Sequence, residues 1–166
     1  FMRNNIDIAG FLLGWIAIIG QFILLIQNRQ ADIPETIIRF FSFFTILTNI
    51  LIAVYFTSRI SIFKNSILSK LSNNGNLTAL TAFILVVGLV YQIILRSTWK
   101  PKGLQIIIDE LLHSVIPLFV FLYWMKFADK NDLIFKNIKN WFWYPIVYFL
   151  YIIIRGHFSN FYPYLL

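Results

Sequence analysis

Apolar residues along this chain gather into long runs separated by short polar stretches. The runs extend from Ile8 to Gln27, Ile37 to Thr57, Leu77 to Leu95, Leu104 to Trp124 and Ile138 to Ile154. Runs of about 18 or more residues are long enough, as helices, to cross a hydrocarbon core of about 30 Å. The pattern therefore predicts an all-α integral membrane helical bundle with five transmembrane helices. The connections Asn28–Thr36, Ser58–Asn76, Arg96–Gly103 and Met125–Asn137 are too short to hold a soluble domain, so residues 1–166 read as a single transmembrane domain. The first run exceeds a signal-peptide core and lacks a small-residue cleavage site, so it reads as a retained helix. Gly10 and Gly14 form a GxxxG, for which ordinary packing within the chain is the expected use.

Composition strengthens this picture. Hydrophobic residues make up 59% of the chain and charged residues only 13%, against roughly a quarter charged in soluble domains. The net charge of +7 would raise nucleic acid as a partner in a soluble protein. Here the Lys and Arg residues fall almost entirely between apolar runs, where they face headgroups, so no nucleic-acid partner is expected. Eight of them (Arg3, Arg59, Lys64, Lys70, Lys126, Lys130, Lys136, Lys139) lie on the amino-terminal side and six (Arg29, Arg39, Arg96, Lys100, Lys102, Arg155) on the other. That bias favours a cytoplasmic amino terminus. With no cysteine, disulfides, thiolate metal sites and cysteine nucleophiles are excluded. No Gly-rich phosphate loop, HExxH or metal-spaced carboxylate cluster is present, and neither metal nor cofactor is expected. Asn76-Leu77-Thr78 matches a glycosylation acceptor but falls on the predicted inner side.

Ionisable groups inside apolar spans are costly and are candidates for function. The fourth span holds Asp109, Glu110 and His113, with Asp109 and His113 one helical turn apart on one face. The carboxylate is placed to orient the imidazole; the plainer alternative is a polar face packed against neighbouring helices. The second span carries Ser42, Thr45, Thr48 and Asn49. Intramembrane hydroxyls usually bond back to the preceding turn, whereas Asn49 needs a partner. Thr45 and His113 sit eight and nine residues into spans that start on the same side, about 12–14 Å deep, so they can meet. Arg96 and Arg155 end the third and fifth spans on that side, either snorkelling or receiving an anionic head.

Three segments resemble a known family. Phe43-Phe44-Thr45-Ile46-Leu47-Thr48-Asn49, then Asp109-Glu110-Leu111-Leu112-His113 followed by Pro117, then Tyr144-Pro145 through Tyr151 to Arg155-Gly156, look like the androgen-induced-protein family, closest to its bacterial branch. The likeness spans the second to fifth runs and the Phe161-Tyr162-Pro163-Tyr164 tail. Animal members of that family are multi-pass membrane proteins, with six helices where five are visible here, that hydrolyse fatty acid esters of hydroxy fatty acids. The resemblance implies a bacterial inner-membrane location, a lipid or fatty-acid ester substrate, Thr45 as nucleophile and His113 as its base. Asp109 would then hold the imidazole, Asn49 would donate to the oxyanion, and Arg96 or Arg155 would bind a substrate carboxylate. Two rival classes remain: a non-enzymatic lipid or small-hydrophobe carrier, and a structural subunit whose polar residues only join helices.

Overall fold

The computed structural model describes residues 2–60, 74–129 and 140–163. All regular structure among them is helical. Helix α1 (Met2–Gln27) is followed by α2 (Ile33–Phe40), α3 (Phe44–Arg59) and α4 (Asn74–Val90). A π-helical turn at Tyr91–Leu95 and a last turn at Arg96–Thr98 prolong α4. Helix α5 (Leu104–Glu110) runs through a second π turn, Leu111–Val115, into α6 (Ile116–Phe127), and α7 spans Trp143–Ser159.

Three continuous helices, Arg3–Gln27, Gly75–Thr98 and Leu104–Phe127, are long and apolar enough to cross a membrane. The fifth expected span begins outside the described residues; its helix α7 has 17 residues, about 25 Å. The second expected span differs in kind. Instead of one rod from Ile37 to Thr57, α2 and α3 meet at a 70° bend. Neither Pro nor Gly lies at the break. Side chains supply what the interrupted helix lacks: Asp32 caps α2 through the Glu35 amide, the Ser42 hydroxyl donates to the Ile38 carbonyl at 2.7 Å, and the Tyr148 hydroxyl donates to the Ser42 carbonyl at 2.9 Å. Carbonyls freed at a helix end must find such partners when buried.

Glycine sets the closest helix approach. A Cβ on Gly14 would stand 2.9 Å from the Cβ of Ala53, and one on Gly10 would stand 2.7 Å from the Phe56 ring. The GxxxG face of α1 therefore packs on α3 within the chain, as expected for small residues that let backbones approach. The opposite face of α1 leaves Ile8, Leu12, Ile16, Ile19 and Ile23 exposed at helical spacing. Between these layers lies a core built from Ile52, Ala53, Tyr55 and Phe56 of α3, Ile84 and Val87 of α4, and Leu112, Ile116, Val120 and Tyr123.

Candidate functional site

Two departures from α-helical winding face each other. Pro117 has no N–H for the His113 carbonyl, and the chain relaxes there into the π turn Leu111–Val115, closed by the Ile116 amide on Leu111. The turn at Tyr91–Leu95 closes likewise on Tyr91. A Cβ on Gly88 would lie 3.2 Å from the His113 carbonyl, so the absence of a side chain there lets α4 approach this turn. The consequence is a stack: the Tyr91 and His113 rings lie 4.2 Å apart at 15°. Single π turns inside helices recur at functional sites.

The imidazole has a defined tether. His113 Nδ1 lies 2.9 Å from the Asp109 carbonyl oxygen, an acceptor, so Nδ1 carries a proton, and in the neutral imidazole Nε2 holds the lone pair. Here the structure corrects the sequence expectation: the Asp109 backbone orients His113. The Asp109 carboxylate instead accepts from Trp99 Nε1 and from Gln105 Nε2, the latter at 2.8 Å. An i, i+4 spacing suits either arrangement; the indole delivered by the loop before α5 decides it. Gly103 in that loop has φ +58, a conformation glycine adopts freely.

Thr45 occupies the first turn of α3, just beyond the bend, so its depth is not that of a straight span. The residue before this helix, Phe43, offers no side-chain cap, and the positive end of the helix dipole lies beside Thr45. Among the described residues the Thr45 hydroxyl has no hydrogen-bond partner and none joins it to His113. The link between the two is Asn49. Fully buried, it donates through Nδ2 to the Thr45 carbonyl at 2.8 Å and, more distantly, to the Leu112 carbonyl at 3.4 Å. One amide thus ties the backbone of Thr45 to the residue preceding His113. With its donors directed at these carbonyls, Asn49 is not placed as an oxyanion donor. Its Oδ1 is buried and unpartnered.

Both arginines carry internal partners. Arg96 is paired with Glu110 at 2.8 Å and also bonds Gln92. Gln92 in turn donates to Ser114, and Ser114 to Glu110, closing a ring between the two π turns. Arg155 donates through Nη2 to Glu35 at 2.7 Å. Sequence reasoning assigned no role to Glu35, Tyr91 or the tyrosines of α7. Tyr144 and Tyr151 bond Thr48 and Ser42 at 2.9 and 3.2 Å, and with Tyr148 they recur at the i, i+4, i+7 spacing of one helix face. With Leu47, Trp143, Val147 and Tyr148 they line an apolar groove of about 380 Å³ between α3 and α7. Among the described residues no cluster of three or more His, Asp or Glu could hold a metal ion. Compared with known proteins, the chain matches no family model, no curated protein and no solved structure.

Proposed function

We propose that this chain is an integral membrane protein that hydrolyses lipid esters within the bilayer, with Thr45 as nucleophile and His113 as general base. Membrane residence is supported by the outward faces of α1, α4, α6 and α7, which expose large apolar side chains such as Ile19, Leu89, Leu118 and Leu150. Apolar exposure on this scale suits lipid and not water. The positive-inside bias of eight basic residues against six supports a cytoplasmic amino terminus.

The observation that carries the catalytic reading is the Asn49 bridge between the Thr45 and Leu112 carbonyls, which ties the turn bearing an unbonded hydroxyl to the turn bearing the imidazole. His113 takes the Thr45 proton as Oγ1 attacks the ester carbonyl, then returns a proton to the departing alkoxide. Water, deprotonated by the same imidazole, clears the acyl-threonine. The positive end of the α3 dipole, beside Thr45, is suited to stabilise the developing oxyanion. Catalytic hydrogen bonds are often long or unformed without substrate, which accords with the separate Thr45 and His113. The resemblance to the androgen-induced-protein family supports the same pair, through motif order and spacing alone.

A fluorophosphonate tests this directly. An activated hydroxyl forms a phosphorus–oxygen bond and displaces fluoride, while the base takes the proton. Detergent-purified protein is expected to label at Thr45, and Thr45→Ala and His113→Ala are expected to lose the label while remaining folded. A folded parent that takes no label would transfer the case to the two non-enzymatic readings, carrier or structural subunit. Undiminished labelling of Thr45→Ala would remove Thr45 from the chemistry. A structural subunit would take no label in any form.

A further inference from the structure

We infer that the groove between α3 and α7 binds a single-chain amphiphile with an anionic head, seated on Arg155. The inference rests on the membrane-embedded reading above, and not on catalysis by Thr45. Tyr144, Tyr148, Tyr151 and Arg155 follow one another at i, i+4, i+7 and i+11, so Arg155 stands on the tyrosine face of α7, one turn beyond Tyr151, the last residue of that helix to line the groove. From Trp143 to Arg155 the helix rises about 18 Å, comparable to half of a 30 Å hydrocarbon core. A volume of about 380 Å³ lies near the lower end for ligand sites, which run from roughly 300 to 1,000 Å³. One acyl chain suits it better than the paired chains of a phospholipid.

The head site is defined by charge and by an unmet donor. Arg39 Nε and Arg155 Nη2 converge on a single oxygen, Glu35 Oε1, at 2.8 and 2.7 Å. Two guanidiniums and one carboxylate leave one positive charge over. The Arg155 side chain is only 8% exposed, and its Nη1 is buried without an acceptor. Leaving a charged donor so placed is costly, and an anionic oxygen relieves it. Phe161 fixes the pair: its ring centroid lies 4.4 Å from the Arg39 guanidinium carbon and 4.7 Å from that of Arg155. Gly156, where a Cβ would clash with the Tyr162 ring, allows the segment after α7 to fold back over these groups.

The test uses the full chain in detergent micelles. Hexadecanoate brominated along its chain quenches tryptophan on contact, and Trp143 lines the groove; Trp143→Phe serves as the reference for the other tryptophans. Saturable quenching by the acid is expected, with the methyl ester binding at least tenfold more weakly. Arg155→Gln should weaken the acid about tenfold or more and leave the ester unchanged. Glu35→Gln, which removes the competing carboxylate, should tighten the acid several-fold. Opposite signs from two partners of one ion pair separate binding from loss of fold. Brominated hexadecyl phosphate assigns the head: tighter binding than the carboxylate makes it a phosphate monoester, weaker binding a carboxylate. Quenching that rises without saturation, or is equal for acid and ester, or ignores both substitutions would overturn the proposal. Saturable acid binding by a chain that takes no fluorophosphonate would retain the binding site and discard the hydrolase.

Discussion

His113→Ala is expected to lower hydrolysis of a long-chain ester by about 10²–10⁴-fold, the usual contribution of a positioned general base, while Asp109→Asn lowers it by no more than a few-fold. The contrast follows from the tether. A carboxylate that orients a catalytic imidazole is worth about 10⁴ in rate when exchanged for its amide. In this chain His113 Nδ1 is held by the Asp109 backbone carbonyl, which asparagine retains. What Asp109→Asn does disturb is the pair of donors from Trp99 and Gln105. One of them would then meet an amide nitrogen instead of an oxygen, and the expected cost falls on the loop before α5. Ester turnover by purified variants, with helicity and thermal melting measured alongside, distinguishes the two. A 10⁴-fold loss in a folded Asp109→Asn protein would mean that the carboxylate turns to the imidazole during the reaction. Full activity in His113→Ala would end the catalytic assignment.

Long-range contacts explain where sequence and structure part. Apolar runs expose the helices because periodicity and length are local properties of the chain. The Gly10–Gly14 face was legible for the same reason: small residues one turn apart make a seam on whichever helix they meet. The bend at Phe41–Phe43 was not, since nothing local breaks the helix. Its free carbonyl is met by Tyr148, more than one hundred positions along the chain. Pro117 entered the sequence reading only as part of a motif, and the π turn before it packs against α4 where Gly88 carries no side chain. At the candidate site the residue types were legible and their roles were not. Burial cost marked Asn49 as needing partners, but two backbone carbonyls took its donors. The cost of a bare cation marked Arg96 and Arg155; Glu110 answers the first, whereas Glu35 is shared between Arg155 and Arg39 and answers the second only in part.

Gly14→Val is expected to destabilise the folded protein by about 3 kcal/mol or more, since overpacking costs about 1–3 kcal/mol even where side chains alone must yield. Here the first added atom would lie 2.9 Å from Ala53 Cβ and 3.1 Å from its Cα, and that backbone belongs to a buried helix. Phe56, one turn along, cannot move aside to help, because it is fully buried and packed against Tyr55, Phe119 and Tyr123. The expected signature is a melting temperature roughly 6–12 °C lower, scaled from soluble domains of similar size. Ala53→Gly removes the opposing methyl, so in combination with Gly14→Val it should recover part of the loss although it weakens the helix when introduced alone. This coupling is the sharper measurement: a seam between two copies of the chain would show a concentration-dependent change in oligomeric state and no coupling within one chain. Because α3 also carries Thr45 and Asn49, separating it from α1 shifts the bridge that ties Thr45 to the turn bearing His113. Ester turnover should therefore fall with the melting temperature in Gly14→Val and return with it in the double variant.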